Sequence, residues 1–295
     1  MTKRSPGPRV DPGEPPPGSP WDDAIAEAPL CFVDLEMTGL RTDTDRVLEI
    51  CVERVRGDRL EAAVTSLVRP DGGAFGPDGG AFGNEHIHGI DPAEVAGAPT
   101  FAELAPRVEE VLAGGILVAH AAAWDVAFLE AELARAGRVD RASRIPHYLD
   151  TLALSRRAFA FPSHRLEALC QELAIVRVRA HRAADDTAAL REVFRRVVAA
   201  LTPHTPRDLW HVRIGERHAR PDVIAAATAA LALGAPVAIR YRPARRGVEA
   251  LLFQITGVRT ELDPPRVLGY LLPSRSRREL RADRILAIEP PSVLD

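Results

Sequence analysis

The chain has 295 residues, 46 % of them hydrophobic and 27 % charged, with a net charge of −3, which is enough for one sizeable domain with its own core and a smaller second one. The charge is uneven: 14 Arg against 9 Asp and Glu leave residues 209–295 at about +5 and the remainder at about −8, so the C-terminal part is the basic one. Three cysteines without CxxC spacing exclude a disulfide framework, and the most apolar stretch, Val223 to Ile239, is broken by Gly234 and Pro236, so no membrane span is expected and a cytoplasmic setting is.

Residues 1–20 carry seven prolines among small and charged residues, too little apolar surface to offset the entropy of ordering, and 1–26 reads as a disordered Pro-rich tail. A strand is expected at Leu30 to Thr38, followed by strands at Arg46 to Arg56 and Arg59 to Arg69 around a Gly57-Asp58 turn. Pro70 to Gly83 repeats Pro-Asp-Gly-Gly-Ala-Phe-Gly in tandem; it is either a flap whose Phe75 and Phe82 stack on a substrate or a tolerated surface insertion. An amphipathic helix follows at Thr100 to Ala113, with Thr100 and Glu103 spaced as a capping box. Then come a short strand at Gly115 to His120, a helix at Ala123 to Ala136, a strand at Ile145 to Leu149, two helical pieces over Leu152 to Leu173, and a helix at Asp185 to Leu201. This is a mixed α/β pattern over 27–201. Thr202 to Asp208, with two prolines, opens a linker over 202–220. A second domain, 221–292, begins with an apolar helix at Pro221 to Leu233 and continues with strands at Val237 to Arg242, Ala250 to Val258, Arg266 to Leu272 and Arg284 to Ile288.

The chemistry starts in the first strand. A period of two puts Asp34 and Glu36 on one face, about 7 Å apart along the chain, a spacing suited to gripping divalent metal. Asp125 falls in the first turn of the helix after His120, and Asp185 and Asp186 stand at the start of the Asp185–Leu201 helix. Asp185 is assigned to capping that helix, with Asp186 the functional acid. His181, five residues before Asp186, cannot share a helical face with it and must lie in the preceding turn, where an imidazole suits a general base.

The set Asp34-x-Glu36-x-Thr38-Gly39, Ala119-His120 to Asp125-x-x-Phe128-Leu129, and His181-x-Ala183-x-x-Asp186 resembles the DEDDh 3′→5′ exonucleases, which include the epsilon proofreading subunits of bacterial DNA polymerase III. The resemblance implies a ribonuclease-H-like α/β fold, a mixed sheet flanked by helices. It also implies that Asp34, Glu36, Asp125 and Asp186 hold two Mg²⁺ or Mn²⁺ ions and that His181 activates the attacking water. Thr38, Gly39 and Leu40 would line the terminal nucleotide, His88 would belong to a substrate-side loop, and Asp150-Thr151-Leu152 would be mainly structural. Expected partners are single-stranded DNA or RNA 3′ ends, DNA being slightly preferred, and a DNA polymerase or repair protein. The chain departs from the family in having Ala121 where asparagine is usual and Trp124 for phenylalanine. The block Asp34 to Leu40 is also similar to that of oligoribonucleases, which implies RNA as the alternative substrate. A non-catalytic end-binding regulator is the competing class; degenerate versions should lack an acid or the histidine, and this chain keeps all five.

Gly234-x-x-Val237-x-Ile239-x-Tyr241 with Leu280 to Ile285 resembles WYL domains, which implies a small SH3-like, mainly-β module, although the Trp-Tyr-Leu triplet is absent. Arg240, Arg242, Arg245, Arg246, Arg275, Arg277, Arg278 and Arg281 could form a phosphate-binding face with Tyr241 and Tyr270 stacking bases; equally, the arginines could be a solvated surface and the tyrosines core.

Overall fold

The computed structural model describes residues 13–71, 82, 84–138, 145–159, 161–177, 179–214, 221–241, 243, 249–262 and 264–291. Two compact units are present, one made of residues 1–153, 163–198 and 204–206 and the other of 154–162, 199–203 and 207–295.

The first unit is built on a five-stranded sheet in the order β3-β2-β1-β4-β5, with β1 Pro29–Met37, β2 Val47–Arg56, β3 Arg59–Leu67, β4 Ile116–Ala119 and β5 Tyr148–Asp150. β1 to β3 are antiparallel, whereas β1, β4 and β5 run parallel, so the carboxyl ends of these three meet at one rim. β1 is central and buried along almost its whole length, as a strand covered on both faces must be. Cys31, Val33 and Leu35 join the core formed with α3 Phe101–Leu112 and α4 Ala123–Arg135. The alternate set faces the other way, where Phe32 meets Phe194 of α7 Ala183–Leu201 edge to face at 5.4 Å. α3 starts at the expected capping box, in which Glu103 N donates to Thr100 Oγ1 at 3.3 Å and Thr100 N to Glu103 Oε2 at 2.7 Å. The short helices α1 Glu85–His88 and α2 Pro92–Val95 lie between β3 and α3, while α5 Thr151–Ala158 and α6 Leu166–Glu172 follow β5.

Four expectations are corrected here. The reading of 1–26 as a disordered tail fails for residues 13–26: Trp21 is buried and meets His147 edge-on at 6.2 Å, and Ile25 N donates to His204 O. The rest of that stretch, 1–12, lies outside the described residues. Phe82 is buried beside Leu48, Ile90 and Val95 and so cannot stack on a substrate; Phe75 and the rest of the duplication fall outside the described residues. The start of the 202–220 stretch is not linker-like, since α8 Pro206–Ile214 occupies it with Leu209 and Trp210 buried. Finally, α7 starts two residues earlier than expected and places Asp185 inside its first turn, 3.6 Å from Arg179, so Asp185 is not the cap.

The second unit holds an antiparallel sheet in the order β10-β6-β7-β8-β9: β6 Val237–Tyr241, β7 Glu249–Arg259, β8 Arg266–Leu271, β9 Ser276–Arg281 and β10 Ile285–Glu289. α9 Pro221–Leu233 packs Val223, Ala227 and Ala230 against Ile239, Phe253 and Ile255. Gly269 lets β7 and β8 approach closely, since a Cβ there would meet Gln254 O at 2.1 Å. Of the arginines expected on a phosphate face, Arg240 is committed to Thr202 Oγ1 and Ala200 O, and Arg281 to Asp283 at 2.6 Å. Arg242, Arg245 and Arg246 lie outside the described residues, which leaves Arg275, Arg277 and Arg278 exposed. Tyr241 is partly buried and packed against the core.

Candidate active site

The rim where β1 and β4 end gathers the acids. Asp34 and Glu36 emerge from the last turns of β1 on one face, as the strand period dictates, while Asp125 enters from the first turn of α4 and Asp186 from the first turn of α7. Asp34 is held well above the ordinary carboxylate range by desolvation first, and then by the charges of Asp125, Asp186 and Glu36. Glu36 is pushed up to about 8 by burial, then by Asp186 and Glu49, with Arg177 and Arg182 opposing. Asp125 and Asp186 are raised too, chiefly by burial; backbone hydrogen bonds moderate the first and Arg177 the second.

Glu36, His181 and Asp186 each offer a ligand atom within 4.8 Å of the other two. Ligands opposite one another on a Mg²⁺-sized ion lie about 4 Å apart, so a small closure of this oxygen and nitrogen set fits a hard divalent cation. His181 is exposed, sits at φ 60 in the turn before α7, and its N–H donates to Asp186 Oδ2 at 3.3 Å. It therefore lies in that turn, as expected, though near enough to ligate a cation as well as to move a proton.

The other expected positions are placed as follows. Thr38 is buried, its Oγ1 accepting from Arg46 N at 3.0 Å, which closes the β1–β2 loop. A Cβ at Gly39 would displace the Asp45 carboxylate, which accepts from Arg41 N at 2.6 Å. Leu40 follows, half-buried. His88 is buried on α1; its Nδ1 accepts from Ile90 N at 3.0 Å, leaving an Nε2–H with no acceptor among the described residues, and burial followed by the charge of His181 lowers its pKa. Asp150 is structural as expected, accepting from Ala121 N at 3.0 Å and Leu152 N at 2.9 Å.

Two features of the site escaped sequence reasoning. Arg177 lies with its guanidinium on both oxygens of Asp186, and its charge also bears on Asp34 and Glu36. Glu49, in register with Glu36 across β1 and β2, binds Arg182 and the Ala183 amide. Strand alternation could have flagged Glu49, since an acid in an otherwise apolar buried strand needs a partner; Arg177 gives no such signal.

The chain resembles known proteins over this same stretch. The exonuclease model of the RNase T family matches residues 31–194, more than half of the chain. An epsilon-like protein of DNA polymerase III from Rhodobacter capsulatus is 36 % identical over 196 residues, covering 62 % of this chain and 26 % of its own. DNA polymerase III subunit epsilon of Treponema pallidum is 30 % identical over 169 residues, covering 56 % and 74 %. The PolC-type DNA polymerase III of Caldanaerobacter subterraneus is 28 % identical over 180 residues, and this chain spans 12 % of its length. Among solved structures, E. coli exonuclease I in a zinc-bound complex with single-stranded DNA superposes with a TM-score of 0.52 at 15 % identity, over 83 % of this chain and 54 % of that one. Exonuclease I of Methylocaldum szegediense gives 0.51 at 18 %, over 89 % and 65 %. Those likenesses identify the fold, a ribonuclease-H-like mixed sheet flanked by helices. With the family model matched over more than half of its length, the chain belongs to the RNase T-type exonuclease family, whose members depend on divalent metal.

Proposed function

We propose that the protein hydrolyses single-stranded nucleic acid from its 3′ end to nucleoside 5′-monophosphates, with DNA preferred. The observation that carries this reading is the cluster of Glu36, Asp186 and an exposed His181, whose ligand atoms lie within 4.8 Å of one another, with the charges of Glu36, Asp125 and Asp186 also acting on Asp34. The four carboxylates would hold two divalent cations, Mg²⁺ or Mn²⁺, which when bound acidify a water and neutralise charge on the phosphodiester. His181 takes the proton from the attacking water as its oxygen bonds to phosphorus; the bond to the 3′ oxygen of the preceding nucleotide breaks, and that oxygen leaves. Thr38, Gly39 and Leu40 form the wall beside the terminal sugar, and His88 belongs to the loop on the substrate side. The DNA preference rests on the polymerase III names of the relatives and on the single-stranded DNA held by E. coli exonuclease I. The same names support a DNA polymerase or repair partner.

The C-terminal unit, proposed as a WYL-like domain over 221–292, would bind single-stranded nucleic acid. A cavity of about 260 Å³ lies there between Tyr241, Leu251, Leu271 and Arg278, with room for a base beside a cationic group. No helix among the described residues is long and apolar enough to cross a membrane, and Cys31, Cys51 and Cys170 are unpaired and buried, which supports a reducing cytoplasmic setting.

The test incubates 5′-labelled single-stranded DNA and RNA with the wild type and with Asp34→Ala in Mg²⁺, Mn²⁺ or chelator. Stepwise shortening should require both the metal and Asp34, and should run faster on DNA. Faster shortening of RNA would favour the oligoribonuclease-like alternative, and end binding without shortening the regulator.

A further inference from the structure

We propose that Glu49 is a positioning residue for His181, holding the turn that presents the imidazole; the inference rests on the reading of His181 as the proton acceptor. Glu49 stands on β2 directly opposite Glu36 of β1, and like charges in that relation repel unless one is compensated. Glu49 is 5 % exposed, and the hydrogen bonds its carboxylate accepts among the described residues come from the start of α7. Arg182 Nε donates to Oε1 at 3.2 Å and to Oε2 at 3.1 Å, Arg182 Nη2 donates to Oε1 at 3.0 Å, and Ala183 N donates to Oε2 at 2.9 Å. Both oxygens are thus engaged by the residues that lead into α7.

The geometry of the turn explains why such an anchor is needed. His181 sits at φ 60, a left-handed conformation that a residue with a β-carbon keeps only where its surroundings impose it. On one side its own N–H is tied to Asp186. On the other, the next residue is forked onto Glu49 and the one after gives Glu49 its amide, the first unpaired N–H of the helix. A β2 carboxylate therefore replaces the usual side-chain cap and fixes, in one contact set, the base and the helix that carries Asp186.

The test compares Glu49→Ala, Glu49→Gln, His181→Ala and the Glu49→Ala/His181→Ala double variant in full-length protein, with kcat and KM on a single-stranded oligonucleotide, Mn²⁺ binding by calorimetry, and the His181 ring resonances by NMR. Glu49→Ala is expected to lower kcat about 30- to 100-fold with KM changed less than about threefold, and to leave Mn²⁺ stoichiometry unchanged. Glu49→Gln, which still accepts from Ala183 N, should recover most of the loss, and the double variant should be no slower than His181→Ala alone. An unchanged kcat in Glu49→Ala, or an equal loss added on top of His181→Ala, would overturn the proposal. The NMR arm stands apart from turnover: in Glu49→Ala the His181 resonances should broaden or split, and unchanged resonances overturn the inference even in an inactive protein. A wild type that binds Mn²⁺ yet shortens no strand would instead sink the reading of His181 as a base.

Discussion

Arg177 lies across the carboxylate of Asp186, its Nε on one oxygen and its Nη2 on the other, with both side chains at least nine-tenths buried. Removing one partner of such a pair leaves an uncompensated buried charge. In chelator, Arg177→Ala is therefore expected to lose about 3 kcal/mol of stability, and saturating Mg²⁺ should restore most of it by supplying the missing positive charge to the folded state alone. Urea unfolding with and without the ion measures both; a loss that Mg²⁺ leaves untouched would mean that the cation does not share Asp186 with the guanidinium.

The metal-free protein should weaken as the solution becomes more basic. Glu36 is raised from 4.5 to about 8 by burial first and then by Asp186 and Glu49, and Asp34, Asp125 and Asp186 shift in the same direction. Between those two values the folded chain holds a proton that the unfolded chain has released. The contribution is complete below the unfolded value and is lost as pH rises through the folded one. The melting temperature in chelator should fall between about pH 5 and pH 8, and the fall should be shallower in Glu36→Gln. A melting temperature that rises over that interval would contradict the assignment.

Arg46 and Glu132 tie the start of β2 to α4, with Nε–Oε1 and Nη2–Oε2 at 2.7 and 2.8 Å and Glu132 1 % exposed. Because α4 carries Asp125, this pair sets the distance between two walls of the site. Glu132→Ala should cost about 3 to 5 kcal/mol. The Arg46→Met/Glu132→Leu double variant should cost less, since it removes both buried charges and leaves only the partly exposed Arg135 and the Val47 amide without Glu132, and denaturant titrations of the three proteins decide it.

On β9, Arg277 and Arg278 are exposed. If they track a phosphate backbone, the Arg277→Ala/Arg278→Ala double variant should flatten the log–log salt dependence of binding to a long single strand by about 1 to 2. Turnover on a trinucleotide should stay the same. An unchanged slope would leave the two arginines as solvated surface.

Where one residue's role is set by its own neighbours in sequence, it could be read in advance. Asp34 and Glu36 follow from strand alternation, Asp125 from a strand-to-helix junction, and His181 from its mismatch with the period of α7. Strand alternation flags Glu49 as a buried acid but not its partner, and nothing local flags Arg177, because the partners lie 133 and 9 positions away and meet them only in the folded chain. β9 was missed because Ser-Arg-Arg-Glu-Leu-Arg buries little but Leu280; an edge strand guarded by charge carries almost no apolar alternation. The burial of Trp21 against His147 is not legible in the sequence, because the prolines before it dominate the local composition and its partner lies far along the chain.

Ala121, at φ 60 where the family favours asparagine, occupies a conformation that asparagine adopts more readily than alanine. The bend nevertheless holds, because the Asp150 carboxylate grips the Ala121 amide from β5. The contour of this corner is thus set from a neighbouring strand and not by the side chain at 121. A carboxylate-to-alanine change at 150, which frees two amides at once, should therefore disturb the corner more than a change of side chain at 121.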